Sequence, residues 1–279
     1  MASSRPFRFA ERVVLVTGAS SGIGAALARE FAAQGAAVVL AARRLGRLRS
    51  LAGGIEAGGG RALAIECDVR RDGDLERAVA AALERFGRLD VAVANAGFGV
   101  AGEFAALALD DYRRQFETNV FGVLRTAYAA LPALERSRGV LAILGSVAGY
   151  VAAPGASAYA MSKFAMRGFA GALRGELAAR GVGVVLISPG FVDSEIRRVD
   201  NRGQLHATER DPIPAWLRMP AERAARKIVR AVARRRRERV ITAHGKLAVW
   251  VARHLPGLLH ASVGRGRIRR PEPGQNPKR

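Results

Sequence analysis

The fold is decided by the stretch "RVVLVTGASSGIG", residues 12–24, in which an apolar run ends in a glycine-rich turn. The run "VVLVT" is typical of a strand buried on both faces of a parallel sheet. Gly18 permits a tight turn, Gly22 lets the backbone approach a pyrophosphate, and Gly24 lets the next helix pack closely. The start of that helix offers unpaired N–H groups to phosphate. The stretch predicts a dinucleotide-binding turn, although any tight turn favours glycine and the spacing departs from G-x-G-x-x-G.

Six further apolar runs follow this stretch, and helical patterns separate them. They read "AAVVLAARR", "RALAIECDV", "LDVAVANAG", "GVLAILGS", "VGVVLISPG" and "RVIT". Buried strands that alternate with helices indicate a parallel sheet covered on both faces. We therefore predict an α/β protein with a single doubly wound Rossmann-type parallel sheet, formed by residues 11–242 after an N-terminal extension of residues 1–10. One helix is predicted to run from about 110 to 136.

The composition excludes several classes of protein. The chain has 279 residues, 49% of them hydrophobic, which suffices for a large core. The single cysteine, Cys67, excludes an internal disulfide, and the four histidines show no ligand spacing, so we predict no metal site. The N-terminus lacks the apolar region of a secretory signal, and the uncharged segment 139–162 is broken by glycines and a proline. These features predict a cytoplasmic protein without a membrane span.

The end of the second strand predicts which nucleotide is bound. A ribose 2′-hydroxyl is usually held by an acidic residue at this place, about 20 residues beyond the glycines. Ala42 stands there instead, and Arg43 and Arg44 follow it. A guanidinium pairs with a 2′-phosphate and stacks on adenine. We therefore predict NADP rather than NAD. The alternative is that two arginines on an arginine-rich chain are simply solvated.

The stretch "SAYAMSK", residues 157–163, predicts a proton-transfer pair. Tyr159 and Lys163 are four residues apart, so on a helix they share one face. An ammonium beside a phenol favours the phenolate and lowers the pKa of the tyrosine, which prepares it to exchange a proton. The alternative is an ordinary surface helix, because Y-x-x-x-K often arises by chance.

Seven motifs together resemble those of the short-chain dehydrogenase/reductase family. They are "TGASSGIG", "CDV" with Asp68, "NAG" at 95–97, "TNVFG" with Asn119, "GSVAG" with Ser146, "YAMSK" and "SPGFVDS". They follow the order and spacing of that family over about residues 11–240. The resemblance implies an oxidoreductase of the NADP-preferring type.

The resemblance also implies a catalytic set of four residues. Tyr159 would be the general acid/base toward the substrate oxygen, and Lys163 would lower its pKa and bind the nicotinamide ribose. Ser146 would hold the substrate oxygen, and Asn119 would position a water in a proton relay to Lys163. An alternative role for Asn119 is a hydrogen bond to the backbone of its helix.

The same resemblance implies which residues bind the nucleotide. Asp68 and Val69 would contact the adenine, Asn95 and Gly97 would shape the cleft floor, and the segment Pro189 to Ser194 would grip the carboxamide. Ser194 replaces the usual threonine and keeps its hydroxyl. The full predicted set is Gly18, Ser20, Ser21, Gly22, Ile23, Gly24, Arg43, Arg44, Asp68, Val69, Asn95, Ala96, Gly97, Tyr159, Lys163, Pro189, Gly190, Val192 and Ser194.

The reaction implied by the resemblance is hydride transfer between a nicotinamide and a carbonyl compound or secondary alcohol. The segment after "SPG", about 191–219, would form a substrate lid. Its apolar and aromatic residues suit a hydrophobic ketone or alcohol, unless they merely pack the lid on the core. Arginines in the lid would also tolerate an acyl thioester. The predicted substrate-binding residues are Phe98, Ser146, Tyr150, Tyr159, Phe191 and Trp216.

Several alternative functions are compatible with the sequence. Within the enzymes they are a 3-oxoacyl thioester reductase, an NAD-dependent alcohol dehydrogenase, and a dehydratase or epimerase that uses the same cofactor. Outside them are a nucleotide-bound regulatory protein, which often lacks the tyrosine or lysine, and a nucleic-acid-binding protein. The basic pI near 11.6 suggests the last, but the basic runs contain no aromatic interleaving.

The net charge of +21 is concentrated at the C-terminus. Residues 221–279 contain 17 of the 45 basic residues and 3 of the 24 acidic ones. The amphipathic segment 243–264 lies between basic runs, which suits a peripheral contact with anionic membrane, a partner subunit or the substrate cleft. Residues 265–279 read as a basic disordered tail. The resemblance also implies a homodimer or homotetramer that pairs through the helices near 110–136 and 156–180.

Overall fold

The computed structural model describes residues 8–202, 204 and 211–257. Its centre is a seven-stranded parallel sheet with the order β3-β2-β1-β4-β5-β6-β7. The strands are β1 Val13–Thr17, β2 Ala37–Ala42, β3 Arg61–Glu66, β4 Val91–Ala94, β5 Val140–Leu144, β6 Gly183–Ser188 and β7 Glu238–Val240. The predicted fold class, a doubly wound parallel sheet, is confirmed.

Helices cover both faces of the sheet. They are α1 Gly22–Ala33, α2 Leu45–Ala57, α3 Asp74–Phe86, α4 Leu109–Phe116, α5 Gly122–Ser137, α6 Ser157–Ala178, α7 Ala221–Ala233 and α8 Ala243–His254. In β1, Val14 and Val16 face a core that includes residues of α1, α2 and α7. Val13 and Leu15 face the other core, with residues of α3, α5 and α6. Each face of the strand is therefore buried, as its uninterrupted apolar sequence predicts.

The direction of the crossovers changes at β1, which pairs with β2 on one side and β4 on the other. Parallel strands direct their carboxyl ends to one edge, and loops that leave in opposite directions open a crevice there. The residues after β1, β2 and β4 are therefore brought together at this edge.

The helix predicted over 110–136 is interrupted. A π-helical turn, Glu117–Phe121, separates α4 from α5. A wide turn of this kind adds a residue to the helix and turns the side chains that follow, and it often occurs at functional sites. Here it carries Asn119, which is buried. A hydrophobic period does not reveal such a turn, because the residues on both sides remain helical.

The segment between β6 and α7 begins and ends at one point. Val192 forms a parallel bridge with Met219, so the predicted lid leaves and rejoins the domain between these residues. Predictions for residues 1–7, for positions 203 and 205–210 of the lid, and for 258–279 lie outside the described residues. Within the described part of the chain, no helix combines the length and apolarity needed to cross a membrane.

Candidate active site

The glycine-rich turn between β1 and α1 presents bare backbone at the carboxyl edge of the sheet. Gly18 and Gly22 have φ of 67° and 51°, a region that favours glycine. A Cβ at Gly24 would lie 2.3 Å from the carbonyl oxygen of Gly18. Asn95, which follows β4, donates its amide to the carbonyl oxygen of Thr17 at 2.8 Å and ties the two strands together. The turn is therefore fixed in a shape that only glycine at these positions permits.

A cleft of about 330 Å³ opens beside this turn. Its wall contains the predicted nucleotide residues Gly18, Ser20, Ser21, Gly22, Ile23, Gly24, Arg43, Arg44, Asp68, Val69, Asn95, Ala96, Gly97 and Ser194. The predicted substrate residue Phe98 lies in the same wall. Bare backbone near a helix N-terminus, together with arginines, suits the phosphates of a dinucleotide. The residues present therefore fit that group.

Asp68 lines the cleft with a carboxylate that already has a partner. Arg70 holds both of its oxygens, with Nε 3.0 Å from Oδ1 and Nη2 2.6 Å from Oδ2. Burial alone would raise the pKa of Asp68, but the hydrogen bonds from Arg70 outweigh burial and lower that pKa. Arg70, which the sequence did not single out, also lines the cleft. The two residues form an oriented ion pair in its wall.

Arg44 follows β2 and binds the glycine-rich turn. Its Nη2 donates to the hydroxyl of Ser20 at 3.0 Å and to that of Ser21 at 2.8 Å. The same nitrogen donates to the carboxylate of Glu195 at 3.0 Å. Arg43 beside it lines the cleft and is exposed. Both arginines predicted to select the nucleotide are therefore at the cleft, and one of them pairs with an acid that the sequence did not single out.

The hydroxyl groups of Tyr159 and Ser146 lie within hydrogen-bonding reach of each other. Ser146 follows β5, and Tyr159 lies in the first turn of α6. Burial raises the pKa of Tyr159, while a hydrogen bond from Ser146 and the positive charge of Arg197 act in the opposite direction. Gly99, in the loop after β4, faces the phenol ring, since a Cβ there would lie 3.6 Å from its Cδ2. The loop after β4 thus extends from the cleft to the tyrosine.

Lys163 is buried one helical turn after Tyr159. Its Nζ donates to the carbonyl oxygen of Leu144 at 2.9 Å, at the end of β5. It lies 5.6 Å from the centre of the Tyr159 ring. Burial lowers the pKa of Lys163 to about 8. Burial of the phenol outweighs the opposing interactions of Ser146 and Arg197 and raises the pKa of Tyr159, so the net shift is opposite to the predicted one. The role of Lys163 in lowering that pKa stays a prediction.

Asn119 fixes the loop after β4. Its Oδ1 accepts the N–H of Phe98 at 3.1 Å, and its Nδ2 donates to the carbonyl oxygen of Phe98 at 3.0 Å. Nδ2 also lies 3.3 Å from the hydroxyl of Ser162, the residue before Lys163. The amide therefore connects the cleft wall to the helix that carries the tyrosine. This is a positioning role. It differs from the alternative considered from the sequence, because these bonds reach the loop after β4 and α6 rather than the backbone of the helix that carries Asn119. The proton relay stays a prediction.

The segment from Pro189 to Ser194 packs against the glycine-rich turn and against α8. A Cβ at Gly22 would lie 3.0 Å from the Cβ of Ser194. The carbonyl oxygen of Pro189 accepts the N–H of Val147 at 2.9 Å. Gly190 is confined, since a Cβ there would lie 2.4 Å from Nε2 of His244. Among these predicted residues, only Ser194 lies in the wall of the cleft described above.

His244 is a site residue that the sequence did not single out. It is the second residue of α8, and its Nε2 accepts the N–H of Phe191 at 3.0 Å. Its ring stacks on that of Phe191 with 5.2 Å between centroids. Burial lowers the pKa of His244, which favours the neutral ring that can accept this hydrogen bond. No local pattern in the sequence indicates that the imidazole of His244 accepts a hydrogen bond from a backbone N–H 53 residues away.

Two predicted substrate residues are placed differently from the expectation. Tyr150 is buried, its hydroxyl donates to Glu238, and the guanidinium of Arg167 lies 4.3 Å from its ring centre. This arrangement raises the pKa of Tyr150 to about 12, mainly through burial. Its hydroxyl is therefore committed to β7 rather than to a substrate. Trp216 is 83% exposed, so most of its side chain faces solvent in this structure.

The sequence is similar to those of known proteins over most of its length. A family profile described as short chain dehydrogenase matches residues 12–205. The A-factor type gamma-butyrolactone 1'-reductase (1S-forming) of Streptomyces virginiae is 40% identical over 226 residues, which cover 77% of this chain and 87% of that protein.

Two solved structures are similar in fold. A short chain dehydrogenase/reductase from Burkholderia phymatum in complex with NAD has a TM-score of 0.80 and 25% identity, covering 90% of this chain and 96% of that one. An alcohol dehydrogenase from the archaeon Thermococcus sibiricus, complexed with 5-hydroxy-NADP, has a TM-score of 0.71 and 28% identity, covering 82% and 95%. The two neighbours thus carry nucleotides of both kinds.

Proposed function

The chain belongs to the short-chain dehydrogenase family, and on that premise we propose that it is an NADP(H)-dependent oxidoreductase of carbonyl compounds and secondary alcohols. Its similarity to the proteins described above supports the class of pyridine-nucleotide-dependent oxidoreductases. The observation that supports the finer proposal is the grouping of Ser146, Tyr159 and Lys163 around the end of β5. The loop after β4 connects this group to a cleft with a glycine wall and arginines. That grouping supplies an acid and an oxygen-binding group next to a dinucleotide site.

Each residue has a role that follows from its contacts. A bound nicotinamide would supply or accept the hydride. The Tyr159 phenol, protonated because its pKa is raised, is a donor for the oxygen of a carbonyl undergoing reduction. The Ser146 hydroxyl is within hydrogen-bonding reach of that phenol and binds the same oxygen. Lys163, anchored on Leu144, places a cation behind the tyrosine.

Arg43 and Arg44 support NADP as the nucleotide. Both line the cleft, and Ala42 supplies no carboxylate to hold a ribose 2′-hydroxyl. A 2′-phosphate takes bidentate hydrogen bonds from a guanidinium, which a hydroxyl does not. NAD is the alternative, and it is the nucleotide in the Burkholderia structure.

The substrate class that we propose is a hydrophobic ketone or alcohol. Phe98, Ile196 and Val199 place apolar side chains in the wall of the cleft. A 3-oxoacyl thioester is the second candidate, because Arg114 and Arg202 line the same cleft and would bind an anionic carrier group. A panel that contains both kinds of carbonyl distinguishes the two.

The test is reduction of this panel with NADPH and with NADH, followed by the loss of nicotinamide absorbance. We expect turnover with NADPH, and a loss of about a hundred- to ten-thousandfold in Tyr159→Phe, because general acid catalysis contributes that much. Binding of NADPH, measured by fluorescence, should be retained. Tyr128→Phe, which removes a hydroxyl from an exposed position of α5, is the control and should keep full activity. Equal rates in wild type and Tyr159→Phe would contradict the proposal.

We also propose a cytoplasmic location with a peripheral membrane contact through 243–264. In α8 the side chains of Leu247 and Trp250 are 64% and 53% exposed, while its buried residues are Gly245 and Val249. Apolar side chains flanked by basic runs bind anionic bilayers. The full chain should sediment with anionic vesicles, and Leu247→Glu with Trp250→Glu should release it. Equal recovery of both proteins in the supernatant would end this proposal.

A further inference from the structure

Glu195 pairs with two arginines at the mouth of the nucleotide cleft. Its Oε2 accepts from Nη2 of Arg44 at 3.0 Å, and its Oε1 accepts from Nη1 of Arg47 at 2.8 Å. Ser21 also bonds this carboxylate, and the side chain is 21% exposed. Burial alone would raise the pKa of Glu195, but the bonds from Arg47, Arg44 and Ser21 outweigh burial and lower it. The carboxylate is therefore ionised at neutral pH.

The contact joins parts of the chain that are far apart in sequence. Arg44 and Arg47 lie at the start of α2, whereas Glu195 lies about 150 residues later, at the beginning of the lid. The residue before it, Ser194, packs on Gly22 of the glycine-rich turn. The start of the lid is therefore drawn onto the phosphate-binding turn by an acid.

The donors that Glu195 uses are those proposed for a phosphate. Arg44 is the guanidinium at the end of β2, and its Nη2 contacts Glu195 together with Ser20 and Ser21. Arg44, Ser20, Ser21 and Glu195 all line the same cleft. A carboxylate and a phosphate oxygen are both acceptors of the same charge sign, so they compete for one guanidinium face.

We propose that Glu195 is an internal anion that occupies the arginine site, so that a nucleotide with a 2′-phosphate must displace it and a nucleotide with a 2′-hydroxyl need not. Glu195 is thereby a specificity-determining residue that weakens binding of NADP(H) relative to NAD(H). This inference rests on the proposed function, because it assumes that the cleft holds a pyridine nucleotide.

Loss of the negative charge at Glu195 should strengthen the binding of NADPH but not that of NADH. In Glu195→Gln the amide keeps the shape of the side chain but no longer competes as an anion, so Arg44 and Arg47 become available to a phosphate. An exposed ion pair contributes modestly, and two such pairs are involved. We therefore expect the Kd of NADPH to fall about three- to tenfold. The Kd of NADH should change less than about twofold, because no phosphate meets the arginines.

The experiment measures binding rather than turnover. Isothermal titration with NADPH, NADH and 2′,5′-ADP is run on wild type, Glu195→Gln and Glu222→Gln. The last variant removes the same charge from an exposed position at the start of α7, and should match wild type with every ligand. The adenosine bisphosphate lacks the nicotinamide half, so its affinity should rise with that of NADPH. Thermal melts of the three proteins check that each is folded.

The outcomes separate this inference from the proposed function. Tighter binding of NADPH and 2′,5′-ADP by Glu195→Gln, with NADH unchanged, supports the role of Glu195. Equal or weaker binding of NADPH by that variant, while wild type binds it, overturns this inference alone. A comparable gain for NADH would overturn it as well, because the effect would not depend on the phosphate. If neither protein binds either nucleotide, the proposed function fails with it.

Discussion

At the scale of single residues, the buried ammonium of Lys163 opposes folding. Its pKa is about 8 in the folded chain against 10.5 for an ordinary lysine. A lysine with a lowered folded pKa penalises the folded state fully below pH 8, and the penalty vanishes above pH 10.5. The shift corresponds to about 3 kcal/mol, since each pKa unit is about 1.4 kcal/mol.

We predict that Lys163→Met is more stable than wild type at pH 7, and that this difference shrinks between pH 8 and 10.5. The bond from Nζ to Leu144 is lost in the variant, so the gain should be less than the full 3 kcal/mol, about 1–2 kcal/mol. Urea unfolding of both proteins at pH 7 and pH 10.5 measures it. A difference that stays constant with pH would show that the ammonium is not desolvated.

His244 provides a second prediction at this scale. In His244→Ala the N–H of Phe191 loses its acceptor, and the turn that begins at Pro189 is no longer held on α8. One hydrogen bond is worth about 1 kcal/mol, so we expect NADPH affinity to fall about fivefold. His254→Ala, at the exposed far end of α8, is the control and should bind normally. Unchanged titration curves for His244→Ala would remove His244 from the site.

Residue patterns predicted some of these features and missed others for a physical reason. Tyr159 and Lys163 are neighbours on one helix, so their spacing alone places them together. The pKa of Tyr159 depends on burial by the surrounding fold, which spacing does not contain. Glu195 and His244 contact residues about 150 and 53 positions away. Such contacts follow from the packing of the lid and of α8, and no local pattern encodes them.

At the scale of elements, the turn between β1 and α1 leaves no room for side chains at its third glycine. A Cβ at Gly24 would lie 2.3 Å from a backbone oxygen that cannot move aside. We predict that Gly24→Ala destabilises the chain by about 2 kcal/mol or more and weakens nucleotide binding. Chemical denaturation and titration with NADPH measure the two effects.

The matched control is Gly53→Ala in the middle of α2. No atom lies within 4 Å of a Cβ at this position, and the residue is exposed. Alanine favours a helix over glycine by about 0.5–1 kcal/mol, so this variant should be more stable than wild type. Opposite signs for the two substitutions are the expected result. A loss of similar size at both positions would contradict the role given to the crowded turn.

Element boundaries were predictable where one hydrophobic pattern meets another. The inner strands β1, β2, β4, β5 and β6 were recognisable because both of their faces are covered, which produces uninterrupted apolar runs. The edge strands β3 and β7 are only partly buried and carry charged residues. The break between α4 and α5 was not recognisable, because Glu117–Phe121 stays helical in character while its hydrogen bonds widen. The short edge strand β7 begins earlier than the apolar run, at Glu238, where the arginine-rich turn after α7 ends and pairing with β6 begins.

At the scale of the whole molecule, apolar side chains are exposed on the helices implied in assembly. Phe121 and Tyr128 are 47% and 74% exposed beside or on α5, and Met161 and Phe164 are 52% and 42% exposed on α6. Clustered exposed aromatic and apolar groups are typical of protein interfaces. We therefore propose that the chain pairs with a second copy through these helices.

We predict that Tyr128→Glu with Phe164→Glu converts a dimer or tetramer into a monomer, because two charges would be buried at the interface. Size-exclusion chromatography with light scattering gives the mass. Trp216→Glu, which changes an exposed aromatic residue in the lid, is the control and should leave the mass unchanged. A monomeric wild type would contradict the proposed assembly.

The bridge between Val192 and Met219 bears on how this architecture can change its ligand preference. The backbone N–H of Asp193 donates to the carbonyl oxygen of Met219 at 2.9 Å, and the N–H of Met219 donates to the carbonyl oxygen of Phe191 at 3.0 Å. The two ends of the intervening stretch are therefore held side by side. Extra residues inserted there would not disturb the strands, and doubling the length would cost only about 0.6 kcal/mol in closure entropy. We therefore propose that the part of this stretch after Glu195 can be exchanged, while Ser194 and Glu195 remain packed on the glycine-rich turn and on α2. Replacing this part with the corresponding segment of a homologue should change the substrate preference and leave the melting temperature nearly unchanged.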